Sequence, residues 1–383
     1  MSTASQIAPP VSPAPQTMGF TGCINCKLFK PCGGHQRPII FAIGCANFTG
    51  GPGTVHTDDM NPNCNGKFWT LWDDVGGLVD YSVGPIHSIN PTGLPRYVPQ
   101  LQGRHLRPPR PLDADVVAFR LFQVVGLRPG GGYGPKYSTA AELRAAYHLR
   151  PGTRVILVGV DEDAPLERFW HHHRVRHVCE ALAQLGLEIT IPNYSFFTCV
   201  PRFQILRNRK RILRAAERLS RAGVRVAIHL NAVTQADWAF WLAFLREHTE
   251  VTTVALEFQT GPLANHKVGQ RAFDDLAELI DRVGRPLHIL LVGAARFYLQ
   301  ARQRRWHFTL IDSEPFMLAQ KRRVLEKGRK GSYSLKFVPT QPGSPVYHLF
   351  EANLKAYEKM LLAGPKSPRE LSRENPNQAA LLL

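Results

Sequence analysis

Long apolar runs are missing from this 383-residue chain: no stretch approaches the roughly 18 uninterrupted apolar residues of a membrane-spanning helix. The N-terminal residues are rich in Ser, Pro and Ala and lack the basic start and apolar centre of an export signal, so a cytoplasmic protein without membrane association is expected. Acidic residues are scarce: 30 Asp and Glu stand against 47 Lys and Arg, for a formal charge of +17. Cysteine is nearly absent beyond residue 64, where only Cys179 and Cys199 occur, and the odd count of seven, the lack of an export signal and the C-x2-C opening argue for a metal site over a disulfide scaffold. Disorder along the whole chain is excluded in turn, because 44% of the residues are hydrophobic and can supply a full core.

What is present falls into two textures. Residues 1–135 carry 36 of the 61 glycines and prolines, so the N-terminal third is loop-rich. Within it lie Cys23, Cys26, Cys32, Cys45 and Cys64, spaced C-x2-C-x5-C-x12-C-x18-C. Four thiolates suffice for tetrahedral zinc or for a [4Fe–4S] cluster, with His35 and His56 as reserve ligands. The expected organisation is a flexible leader (1–20), a Gly/Pro/Cys-rich metal-binding module (21–110), an α/β domain (111–330), and a C-terminal helix with a tail (331–383).

From about residue 138, short β-branched runs alternate with longer amphipathic segments. Strands are expected at 154–160, 187–191, 224–230, 251–258, 287–292 and 308–311, with helices at 166–185, 203–222, 234–248, 269–283, 294–305 and 314–327. This is the rhythm of parallel βαβ units. Adding Val116–Phe122 and Ile39–Ile43 completes eight strands, so the fold class expected is an α/β (β/α)8 TIM-like barrel, with an open doubly wound sheet as the alternative. In both, chemistry sits where strands end. The polar residues there include Asp161, Asn193, Asn231, Glu257, Gly261 and Asp312, with His229 inside an apolar run.

Two basic blocks stand out. Residues 202–225 set nine cations, among them Arg207, Arg209, Lys210, Arg211 and Arg214, against Glu217 alone. The second block, 296–330, includes Lys321, Arg322 and Arg323. Both are read as phosphate-binding surfaces, a solvated helix face being the plainer alternative. His171, His172, His173 and His177 are read as part of an ordinary solvent-facing helix rather than a metal site, and the aromatic group Trp238, Phe240, Trp241 and Phe244 as packing between helix and barrel.

Residues 287–294 (LHILLVGA), a helix, and then residues 306–315 (WHFTLIDSEP), preceded by the turn Thr260-Gly261-Pro262-Leu263-Ala264, resemble the second half of the barrel of the tRNA-guanine transglycosylase superfamily, whose relatives insert 7-deazaguanines into DNA. The resemblance implies an enzyme that cleaves an N-glycosidic bond and exchanges a base in DNA or tRNA. It implies Asp312 as the nucleophile and Asp161 as the second aspartate, with Asn193, His229, Asn231, Glu257 and Gly261 around the base. The superfamily's cysteine motif after the barrel is absent, since no cysteine follows Cys199. Pro192-Asn193-Tyr194-Ser195 and Pro201-Arg202-Phe203-Gln204-Ile205 are similar to segments of uncharacterised phage-associated proteins. Two other classes stay open: a non-catalytic nucleic-acid-binding metalloprotein and an iron–sulfur enzyme.

Overall fold

Strand-length β-branched runs separated by amphipathic helices close on themselves here. The structure, a computed structural model, describes residues 67–102, 110–128, 131–174, 176–196, 202–328, 333–341 and 343–363. Along the chain come α1 (Lys67–Asp74), β1 (Tyr97–Leu101), β2 (Val116–Arg120), α2 (Leu121–Val124), β3 (Val125–Leu127), β4 (Tyr133–Pro135), α3 (Ala140–Ala146) and β5 (Arg154–Val158). They are followed by α4 (Asp163–His172), α5 (Arg176–Gln184), β6 (Glu188–Thr190), α6 (Arg202–Arg221), β7 (Arg225–His229), α7 (Gln235–Glu247), β8 (Thr253–Glu257), α8 (His266–Val283) and β9 (His288–Val292). The last elements are α9 (Tyr298–Gln303), β10 (His307–Asp312), α10 (Glu314–Gln320), β11 (Arg323–Lys327), β12 (Tyr333–Phe337) and α11 (Tyr347–Ala363).

Eight strands pair in parallel in the closed order β1-β2-β5-β6-β7-β8-β9-β10, so the fold is a TIM-like (β/α)8 barrel. The open doubly wound alternative is excluded by this closure. Two antiparallel hairpins, β3–β4 and β11–β12, are appended. Val98, Ala118, Ile156, Val158, Ala227, Ala255, Leu290, Val292 and Ile311 pack together in the lumen as one apolar cluster. Alternation along each strand then assigns the other residues to the outer face, against the helices.

The N-terminal end of the barrel is sealed. Ile89 enters the lumen cluster, and its N–H donates to Val226 O at 2.9 Å. Thr253 Oγ1 donates to Ile89 O (2.7 Å) and Thr309 Oγ1 to Pro95 O (2.7 Å), while Arg154 binds Glu188 bidentately at 2.7 Å. The opening is therefore at the carboxyl ends of the strands.

Several expectations are corrected. The barrel strand nearest the N-terminus among the described residues is β1, not 39–43, which lies outside the described residues. β1 pairs with β10 through 97–99 and with β2 through 100–101, and Pro99 sits where pairing passes from one neighbour to the other. The barrel thus begins inside the segment expected to be the cysteine module. It also extends beyond 330: Asn353 of α11 accepts from Leu325 N–H (2.8 Å) and donates to Arg323 O (2.8 Å), which ties α11 to the barrel's outer layer. The helix expected over 166–185 is two helices, and that over 314–327 gives way after Gln320 to β11.

Candidate active site at the barrel mouth

A cavity of about 750 Å³ opens at the carboxyl ends of the strands. Its walls take Gln100 from β1, Arg120 from β2, Asp161 after β5, Asn193 after β6, Asn231 after β7, and Glu257 with Gln259 from the end of β8. Trp238, Lys267 and Arg271 from α7 and α8 form its outer rim.

Asp161 is held at the wall by its own backbone surroundings. One carboxylate oxygen accepts from Glu162 N–H at 2.9 Å, and the Arg120 guanidinium faces the same oxygen across 3.8 Å. Asn231 donates through Nδ2 to Asn193 Oδ1 and to Tyr194 O (3.1 Å), and its own carbonyl accepts from Trp241 Nε1 (2.8 Å). The two asparagines are therefore locked into a pair, which leaves an amide donor of Asn193 and an amide acceptor of Asn231 for a ligand.

Glu257 points into the lumen from β8 and is 4% exposed. Its oxygens accept from Gln259 N–H, Thr260 N–H (2.7 Å) and Thr260 Oγ1 (2.8 Å). A carboxylate so bound shapes the 259–261 turn. Gly261 takes φ +56° in that turn, a left-handed conformation that glycine adopts without steric cost.

Five of the sequence-derived site residues, Asp161, Asn193, Asn231, Glu257 and Gly261, thus meet in one cavity. Asp312 and His229 do not line it. Ile311 belongs to the lumen cluster, so Asp312 projects from the opposite face of β10, towards the helices. There its carboxylate accepts from Tyr357 Oη of α11 (3.0 Å) and Glu314 N–H (2.9 Å), and its carbonyl accepts from Tyr97 Oη (3.3 Å). This corrects the nucleophile expectation: Asp312 fastens an outer helix to the barrel. His229 lies in the lumen with no exposure, and its Nε2 meets Thr190 Oγ1 at 3.1 Å. Burial lowers its pKa to about 3, so it is a neutral floor residue rather than a base-reading one.

The expected phosphate surface on α6 is also corrected. Arg207, Arg209, Lys210 and Arg211 are buried. Arg207 pairs with Asp74 (3.0 Å), Arg209 with Asp237, and Arg211 with Glu167 (2.7 Å), while Lys210 donates to Asp80 O. Arg211 also packs over the Tyr194 ring at 3.9 Å, and Arg214 pairs with Glu217 at 3.0 Å. The segment 74–87 lies along α6 and supplies Asp74 and Asp80 among these partners, while Gly84 N–H donates to Glu217 and His87 N–H to Ser220 Oγ. Lys321, Arg322 and Arg323 follow α10 and do not line the cavity.

His173 does not face solvent as expected: it is buried against Phe169 and Trp170, and its pKa is lowered to about 3 by burial first and then by Arg218. Trp241 packs in the core as read, whereas Trp238 reaches the cavity. Cys23, Cys26, Cys32, Cys45 and Cys64 lie outside the described residues, and so does Cys199. Among the described residues, Cys179 is a buried free thiol and no helix is long and apolar enough to cross a membrane.

Sequence reasoning missed Gln100, Arg120, Gln259, Lys267 and Arg271. Gln259 lies between the named strand-end residues Glu257 and Gly261, while Gln100 lay in a strand hidden by its proline. No protein-family model matches the chain, and no curated protein matches it.

Proposed function

We propose that this barrel is a transglycosylase-like enzyme that cleaves an N-glycosidic bond in a nucleic acid and exchanges the base, with Asp161 as its carboxylate nucleophile. The observation that carries the reading is the meeting of Asp161, Arg120 and the Asn193–Asn231 pair at the mouth of a closed barrel, the face where such folds place their chemistry. Asp161 attacks C1′, forming a glycosyl ester as the C1′–N bond breaks. The departing base leaves with the electron pair and is protonated by water at the open rim. An incoming base, deprotonated as it attacks, reverses the step and frees the carboxylate. The free donor of Asn193 and acceptor of Asn231 suit the edge of a heterocycle extruded from the stack. Arg120, Lys267 and Arg271 at the wall and rim suit the flanking phosphates, and the net charge of +17 suits a polyanionic partner. The N-terminal cysteines, as a zinc or iron–sulfur site, remain part of this reading as an accessory module.

The test is base exchange. Full-length protein is incubated with labelled guanine or 7-deazaguanine and with duplex DNA or tRNA, and label retained in polymer is counted. Incorporation by the wild type, reduced about 10³-fold or more by Asp161→Asn, is expected. No incorporation into either polymer overturns the proposal.

A further inference from the structure

Two glutamines in the cavity wall carry polar atoms that the protein leaves unmatched. Gln100 is 4% exposed, yet its Oε1 meets no hydrogen-bond donor among the described residues. Val98, two residues earlier on β1, belongs to the lumen cluster, so Gln100 shares its inward face and lines the mouth. Across the mouth, Gln259 Nε2 is buried without an acceptor among the described residues. Its side chain is pressed against Gly293, where φ is +63° and an added Cβ would stand 1.7 Å from Gln259 Cγ. The chain has thus kept a glycine where Gln259 crosses it, and the amide is held in place rather than turned to solvent.

A buried polar group without a partner destabilises the fold, and folded proteins pair nearly all such groups. Other buried polar atoms of the described residues are also unpaired, and what distinguishes these two is that both residues line one cavity, where a ligand can supply the partner. We infer that Gln100 and Gln259 are specificity residues of the mouth, and that they take an uncharged ligand surface offering one N–H or O–H donor, to Gln100, and one acceptor, to Gln259. A heterocyclic lactam edge or a sugar hydroxyl pair carries this pattern. The inference rests on the proposed function for the place of binding, while the residues and their polarity come from the cavity itself.

The experiment measures binding of two probes, guanine and ribose 5-phosphate, to the full chain by calorimetry, together with the melting temperature of each ligand-free variant. Gln100→Leu and Gln259→Leu should each weaken binding of at least one probe by about 5- to 100-fold, the range of one unmatched hydrogen bond. Gln100→Glu keeps an acceptor and should retain most of the affinity, whereas Gln259→Glu exchanges donor for acceptor and should lose as much as the leucine variant. Both leucine variants should melt at or above the wild-type temperature, because they remove an unsatisfied group; a purely structural glutamine would lower it. Guanine binding assigns the heterocycle, and ribose 5-phosphate binding assigns the sugar. Affinities unchanged by the leucine substitutions, or binding of neither probe, overturn the inference. Glutamine-dependent binding without base exchange would sink the proposed reaction and leave this inference standing.

Discussion

Arg209 and Asp237 meet in the interior, with 4% and 0% of their side chains exposed, and Asp237 also accepts from the N–H groups of Val233 and Thr234 at the start of α7. Removing one member of a buried pair leaves the other charge unmatched, at a cost of about 3–5 kcal/mol. Asp237→Ala should lower stability by that amount in denaturant titration; a loss below about 1 kcal/mol would contradict the pairing. The same pair explains why the arginine-rich helix was misread. A count of charges over 202–225 sees nine cations and one acid, but the partners Asp74, Asp80, Glu167 and Asp237 come from other elements, up to 133 positions away. Spacing along one helix does not reveal them. Asp161, Asn193 and Asn231 were legible because the end of a strand is visible as a switch from β-branched to polar residues. Which face Asp312 occupies was legible in principle from the alternation of β10, but its place at a strand end and the resemblance together drew it into the site.

Strand packing places strict demands on particular glycines. At Gly159 an added Cβ would lie 2.4 Å from Thr190 O and 2.7 Å from Ile191 O, both backbone atoms that cannot yield cheaply. Gly159→Ala should therefore destabilise by about 1–3 kcal/mol and disturb the adjacent Asp161, which a paired measurement of melting temperature and exchange rate would register. The strap 74–87 makes a prediction of another kind. Burial would raise the Asp74 carboxyl, but hydrogen bonds from Arg174, Trp170 and Arg207 outweigh it and hold the group below its ordinary value of 3.8. Glu217 is raised by burial and held below 4.5 by the Gly84 N–H and by Arg214 and Arg221. Such groups stabilise the fold above their ordinary range and lose that contribution as the pH falls through their lowered values. Hydrogen exchange should show the strap loosening from α6 below about pH 4, and full protection down to pH 2 would contradict these contacts. β1 escaped sequence reading for a local reason: Pro99 signals a loop, and only the change of partner strand makes it tolerable.

At the scale of the molecule, the barrel was legible from the repetition of strand and helix over 138–320, since no single element had to be placed well for the count to emerge. The closed barrel was expected, but the strand that completes it was not identified, because β1 lay in the Gly/Pro-rich third. The interior also sets a pH limit. Burial holds His229 and His173 near 3 and His288 near 4, all three neutral in the fold and readily protonated once unfolded. Their contribution is fully present above about pH 6.5 and is lost as the pH falls towards these folded values. Stability should decline from about pH 6.5 downward, before the carboxylates titrate, and a flat profile between 6.5 and 4.5 would contradict their burial as neutral groups.

The central claim is that the chemistry belongs to the mouth and Asp161, not to the outer face and Asp312. The measurement that tests it most directly is the base-exchange rate of Asp161→Asn and Asp312→Asn side by side with the wild type, at a temperature where circular dichroism shows all three folded. Asp161→Asn is expected to lose about 10³-fold or more in rate with an unchanged melting temperature, and Asp312→Asn to melt lower but exchange within about tenfold of the wild type. A folded Asp312→Asn protein that is inactive, beside an active Asp161→Asn protein, would contradict it.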